Sequence, residues 1–122
     1  MASTLRLLQM LLFTALAADA LRLTMKYCLN VRIAINPARR TEFIANIKNN
    51  ALGTRTTEPG NVLYTWGEST TTPNVFHFQE QFLNKEAFIA HTKAPHFAEW
   101  EKFAQSPNAF LESPVIQFFE EL

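Results

Sequence analysis

Residues 27–35 alternate between apolar and polar positions, which is the pattern of a half-buried β-strand. Three further short runs rich in β-branched and aromatic residues occur at 62–68, 75–82 and 115–119. Turn-forming or polar segments separate these runs, and no internal repeat relates them. The pattern therefore predicts four strands.

Helical spacing of apolar residues appears after the first predicted strand. Asn36 and Pro37 suit the N-cap and first position of a helix, which we predict to end at Gly53 as its C-cap. Its apolar face consists of Phe43, Ile44, Ile47 and Ala51. Two shorter helices are predicted at 85–92 and 96–104, with a break at Pro95 between them.

The order strand, helix, strand, strand, helix pair, strand is that of an α+β, ferredoxin-like βαββαβ fold with a four-stranded antiparallel sheet. Helices cover one face of such a sheet and leave the other bare. We place Val62, Tyr64 and Trp66 on the bare face, where their exposure would be unfavourable. This face is therefore expected to pack on a second subunit.

The N-terminal residues 1–20 have the layout of a secretory signal peptide. Arg6 gives a positive n-region, residues 7–17 are apolar, and Ala18-Asp19-Ala20 forms a small-x-small cleavage pattern. The run is shorter than the roughly 20 residues that span a membrane. We predict a cleaved leader, one domain at 21–122 and a secreted product without membrane attachment. A genuine N-terminal amphipathic helix and a bipartite plastid leader are the alternatives.

Composition excludes several classes of function. The chain has 122 residues with 11 basic and 11 acidic side chains, which suggests one neutral domain with no basic patch for nucleic acid. No glycine-rich phosphate loop is present. A single cysteine, Cys28, excludes an intramolecular disulfide and a cysteine metal cluster.

The third predicted strand carries a carboxylate on an apolar face. Phe76, Phe78, Glu80 and Phe82 share this face, and His77 lies on the opposite one. Burial raises the pKa of such a carboxyl unless a partner stabilises its charge. We interpret Glu80 as a general base in an apolar pocket. The alternative is a structural glutamate bonded to the backbone or to a core histidine.

His91 ends one predicted helix and His96 begins the next, so the corner can aim both rings at one point. We predict that both act in catalysis with Glu80. Two histidines and a carboxylate can also bind iron or zinc, but their five-residue spacing differs from the helical i, i+4 zinc pattern. No metal is therefore expected. Glu58 is interpreted as a loop charge.

Three motifs in residues 25–122 are typical of one known family. They are Glu58 with Gly60 before the second strand, Phe78 with Glu80 in the third, and the corner of His91 with Pro95-His96. On these motifs the chain resembles the antibiotic biosynthesis monooxygenase family. Relatives in that family include quinol monooxygenases and the isomerase that processes phosphorylated autoinducer-2.

The resemblance implies a homodimer that forms an α/β barrel, with a pocket between sheet and helices and with no flavin, haem or metal cofactor. Haem is also disfavoured because the haem-degrading branch has a tryptophan where this chain has Phe82-Leu83. Glu80 and His91 are expected in the pocket with His96 beside them. Substrate-binding residues are expected to be Asn50, Phe76, Phe78 and Phe82.

The expected activity is a cofactor-independent monooxygenation of a small aromatic, quinol or enolisable substrate. A base removes a proton, and the resulting anion reacts with molecular oxygen. An isomerase of a small, phosphorylated or unphosphorylated keto compound would begin with the same proton removal. A ligand-binding or stress-response dimer without catalysis is the third hypothesis, since this type of fold hosts many functions.

Overall fold

The computed structural model describes residues 2–122, with the side chains of residues 3–17 and 25–122. The helices are α1 (Ala2–Thr24), α2 (Arg40–Thr57), α3 (Lys85–His91) and α4 (Pro95–Ala104). The strands are β1 (Tyr27–Ala34), β2 (Asn61–Glu68), β3 (Val75–Phe82) and β4 (Val115–Glu120). A 3-10 turn at Pro37–Arg39 precedes α2. After α1 the element order is therefore the predicted one.

The four strands form one antiparallel sheet in the order β2-β3-β1-β4. This is the strand order of a ferredoxin-like fold, so the predicted α+β class is confirmed. Phe43 and Ile47 of α2 and Phe103 of α4 belong to the same buried cluster as Ile33 and Phe76 of the sheet. The core therefore lies between the helices and one sheet face.

The predicted face of β2 is wrong. Tyr64 lies opposite Glu80 and Trp66 opposite Phe78 in the ladder, and directly paired residues share a face. Tyr64 is buried, and the Trp66 ring stacks on Phe78 with centroids 6.0 Å apart, so both lie on the helix-covered face. Alternation shows which residues share a face, but it does not show which face the helices cover.

Helix α2 continues past Gly53 to Thr57, so the predicted C-cap is also wrong. Gly53 does not have the positive φ of a left-handed cap. The helix ends before Pro59, because the residue that precedes a proline avoids the helical region. That residue, Glu58, is extended, with φ −106° and ψ 103°.

The corner between α3 and α4 forms as predicted. The side chain of Asn84 accepts a hydrogen bond from the Ala87 N–H at 2.9 Å and caps α3. Pro95 occupies the first turn of α4, where its missing N–H costs little. His91 consequently ends α3 and His96 lies in the first turn of α4.

Helix α1 covers the predicted leader and extends beyond it. Its large apolar side chains are exposed in the described part, at Leu5, Leu7, Leu8, Met10, Leu11, Leu12, Phe13 and Leu16. None of the described helices is long and apolar enough to cross a membrane. The side chains of the Ala18-Asp19-Ala20 pattern lie outside the described ones, and the cleaved leader stays a prediction.

Candidate active site

A cavity of about 230 Å³ lies between the helix-covered face of the sheet and helices α2, α3 and α4. Its walls are mainly apolar and include Leu29, Phe78, Phe88, Phe97, Trp100 and Phe118. Four polar side chains also line it, from Asn50, Tyr64, Glu80 and His91. A concave apolar space with a few convergent polar groups is the usual form of a small-molecule site.

Glu80 extends from β3 into the helix-covered side of the sheet. Only 8% of the residue is exposed. Burial is the main cause that raises the pKa of Glu80 to about 7, and the charge of Glu58 raises it further. Across the cavity Glu80 faces His91, whose Nε2 lies 3.8 Å from Glu80 Oε2. This distance exceeds a hydrogen bond, so an atom of a ligand can interact with both groups.

His91 is almost completely buried at the end of α3. Burial lowers the pKa of its imidazole, and the hydrogen bond and charge of Glu58 oppose that effect. Nδ1 lies 2.9 and 3.1 Å from the two oxygens of Glu58 and 3.4 Å from Thr54 Oγ1. One ring edge therefore contacts Glu58, and the other faces Glu80.

Glu58 is, with Tyr64, one of the two site residues that the sequence interpretation missed. Its carboxylate contacts His91 Nδ1 and also forms a short hydrogen bond with His96 Nε2. Glu58 and His91 are 33 residues apart, so no local pattern shows their contact. The only sequence signal is the Glu-Pro-Gly turn, which also belongs to the family motif.

His91 and His96 do aim at one point, and that point is the Glu58 carboxylate. His96 lies behind His91 with respect to the cavity, and the described lining residues include His91 but not His96. His96 therefore has no direct contact with the cavity in the described structure and is connected to it only through Glu58 and His91. Its catalytic role stays a prediction.

Asn50 and Tyr64 form a second polar pair. Asn50 Nδ2 donates to the Tyr64 hydroxyl at 3.3 Å, and Arg55 Nε donates to the Tyr64 carbonyl at 2.9 Å. Burial and then the charge of Glu80 raise the pKa of Tyr64 far above its ordinary value, so its hydroxyl stays a donor. Asn50 Oδ1 is buried without a partner in the described structure. A ligand with a donor would satisfy it.

The three predicted phenylalanines have different positions. Phe78 lines the cavity. Phe76 packs on Phe43 with ring centroids 4.8 Å apart, inside the core. Phe82 packs on the His91 ring at 5.1 Å and supports it from the β3 side. Of the three, only Phe78 is among the described residues that line the cavity, so only its predicted contact with a substrate is supported by the structure.

Donor atoms of Glu58, His91 and His96 lie within 4.8 Å of one another, and this set is chemically able to hold a metal ion. The set considered from the sequence had Glu80 in place of Glu58, but Glu80 is on the opposite side of the His91 ring. The same donor atoms already form hydrogen bonds among themselves. The arrangement therefore fits a carboxylate that orients two imidazoles by hydrogen bonds as well as it fits a metal site.

A buried imidazole and a carboxyl that titrates near neutrality can move a proton to or from a ligand in the cavity. The Tyr64 hydroxyl, which accepts a hydrogen bond from Asn50, also lines the cavity and can donate to a developing oxygen anion. Apolar walls strengthen these interactions because they exclude water.

Comparison with known proteins gives a consistent result. A profile of the antibiotic biosynthesis monooxygenase family matches residues 26–102. A Bacteroides thetaiotaomicron protein of unknown function, described as a possible oxidoreductase, is 28% identical with a TM-score of 0.70, over 80% of this chain and 99% of that one. No curated protein matches the chain.

Two candidate antibiotic biosynthesis monooxygenases share the fold. The Caulobacter crescentus protein is 21% identical with a TM-score of 0.72, over 87% of this chain and 98% of its own. The Nitrosomonas europaea protein is 18% identical with a TM-score of 0.71, over 80% of this chain and 90% of its own. Because the family profile covers more than half of the sequence, the chain belongs to the antibiotic biosynthesis monooxygenase family.

Proposed function

We propose that the protein is a cofactor-independent monooxygenase that acts on a small phenol, quinol or enolisable ketone. One observation carries this proposal: the buried Glu80, with a pKa raised to about 7, faces the His91 imidazole across an apolar cavity. A titratable pair of this kind is more typical of proton transfer than of simple packing.

The reaction begins when His91 or Glu80 accepts a proton from the substrate. The anion is electron-rich and reduces molecular oxygen, so that one oxygen atom enters the product and the other leaves as water. A phenol and O₂ then give a quinone and water, and the substrate itself supplies all the electrons. The Tyr64 hydroxyl donates a hydrogen bond to the substrate oxygen during this step, and the free Asn50 Oδ1 can accept one from a donor group of the substrate.

The cavity lining favours a neutral substrate. No lysine or arginine is among the described residues that line it, so a buried anion would find no cation to pair with. Glu58, behind the His91 ring, and Glu80 in its ionised form would repel an anion. A phosphorylated keto compound, the substrate of one isomerase alternative, is therefore disfavoured. Isomerisation of a neutral compound would consume no oxygen, and this difference separates it from monooxygenation.

The non-catalytic hypothesis has less support. A purely structural role would leave Glu80 and His91 bonded to the backbone with no cavity beside them. Both residues instead line a cavity, and Asn50 presents an unpartnered acceptor among the described residues. These features support at least the binding of a small molecule.

The proposal is tested by oxygen uptake with a panel of phenols and quinols. Glu80→Gln and His91→Ala are each expected to lower the rate by about 10²–10⁴-fold, the usual contribution of positioned proton transfer. Pretreatment with a chelator is expected to leave the wild-type rate unchanged. His77→Ala is the matched control, because His77 is exposed on the other sheet face. Wild-type rates in both site variants would contradict the proposal.

We also propose that the active form is a homodimer. Strand β4 leaves four large apolar residues about half exposed, which are Val115, Ile116, Phe118 and Phe119. Ile116 and Phe118 also line the cavity, so a second copy that covers β4 would close the site against water.

A further inference from the structure

His96 is linked to the cavity through one carboxylate. Its Nε2 hydrogen-bonds to Glu58 Oε2, the same oxygen that lies 2.9 Å from His91 Nδ1. His96 and Glu58 are both largely buried, with 11% and 13% of their side chains exposed. Glu58 therefore connects an imidazole behind the site to the imidazole that lines it.

The contacts around His91 Nδ1 determine its tautomer. A carboxylate only accepts hydrogen bonds, so Glu58 requires a proton on Nδ1. Thr54 also requires a proton on Nδ1. Its hydroxyl hydrogen is already donated to the Asn50 carbonyl at 2.7 Å, so the hydroxyl oxygen can only accept a hydrogen bond from Nδ1, 3.4 Å away. A neutral ring with its proton on Nδ1 has the lone pair on Nε2, which faces Glu80.

Gly53 provides the space that His96 occupies. A Cβ atom at Gly53 would lie 2.5 Å from Cγ and Nδ1 of the His96 ring, closer than non-bonded atoms approach. Gly53 lies inside α2, where alanine would favour the helix. The glycine is therefore explained by the close approach of the ring and not by the backbone.

We propose that His96 is a positioning residue, which acts through Glu58 to keep the lone pair of His91 Nε2 directed at the cavity, and that Gly53 is required for this placement. The inference rests on the proposed function only in taking His91 as a base. The titratable groups that face His91 are Glu58 from the turn, Glu80 from β3 and His96 from α4.

The test uses ¹⁵N NMR of the histidine rings in the full chain, because ring shifts report the tautomer and the titration of His91 directly. The wild type is expected to carry its proton on Nδ1. His96→Leu removes the hydrogen bond that holds Glu58 in place, so the carboxylate can turn away from His91 Nδ1 and a mixture of tautomers is expected. His96→Gln, whose amide N–H can replace Nε2–H, is expected to restore the wild-type spectrum.

Gly53→Ala gives the same readout by an independent route and serves if His96→Leu does not fold. Its matched control is Gly67→Ala, since a Cβ at Gly67 meets no atom within 4 Å. Oxygen uptake is expected to fall on the order of tenfold in His96→Leu and Gly53→Ala, as for small displacements of a catalytic group. His96→Gln and Gly67→Ala are expected to stay near the wild-type rate.

Unchanged ring shifts and an unchanged titration of His91 in folded His96→Leu and Gly53→Ala would overturn the inference. Failure of the proposed function has a different signature. In that case the wild type consumes no oxygen with any substrate of the panel, whereas the tautomer and its dependence on His96 are still observed.

Discussion

At Glu80, burial and a neighbouring carboxylate act in the same direction, since both disfavour the ionised side chain. The folded protein therefore keeps a proton on Glu80 at pH values where the unfolded chain, with an ordinary glutamate pKa near 4.5, has lost it. Between these two pKa values the folded state binds more protons than the unfolded state. The contribution of Glu80 to the free energy of unfolding therefore falls as the pH rises from about 4.5 to about 7.

Glu80→Gln removes this contribution, because glutamine does not titrate. On going from pH 5 to pH 8, the free energy of unfolding of the wild type is expected to fall relative to the variant by about 2–3 kcal/mol. Urea titrations of both proteins at the two pH values measure this difference. The lowered His91 pKa contributes in the opposite direction, but it does so in both proteins and cancels in the comparison. A difference near zero would mean that Glu80 is ionised in the folded protein.

At the scale of elements, alternation and helical spacing were sufficient to locate every strand and helix after α1. They also placed Glu80 beside a histidine corner. They could not show which face of the sheet the helices cover, so Tyr64 was put on the wrong side and missed as a site residue. Glu58 was missed because its partners come from distant elements, α3 and α4, that meet only in the folded chain.

The half-exposed apolar residues of strand β4 allow the proposed homodimer to be tested by one substitution. Phe119→Glu puts a charge on a half-exposed apolar position and is expected to halve the mass measured by light scattering relative to the wild type. Leu52→Glu is the matched control, because Leu52 is equally apolar and 63% exposed but lies on helix α2. A wild type that is already monomeric would contradict the proposal.

At the scale of the whole molecule, we propose that residues 1–20, which include most of α1, are a leader that is removed as the protein enters the secretory pathway. The exposure of its apolar side chains supports this, because a mature soluble surface rarely presents so many together. Export of the tagged full-length chain from a eukaryotic host should yield a product that begins at Leu21. Replacement of Leu11 and Leu12 by arginine is expected to abolish export, and an uncleaved product would contradict the proposal.

The walls of the cavity come from different parts of the chain. Groups able to move protons are attached to β3, to α3 and to the turn after α2, whereas Ile116 and Phe118 come from an edge strand near the end of the sequence. Substitutions in that edge strand can reshape this wall of the cavity while Glu58, Glu80 and His91 keep their mutual distances. If the proposed function holds, substitutions in β4 can therefore change substrate specificity without changing the groups that transfer the proton, and relatives with the same reaction can differ in substrate.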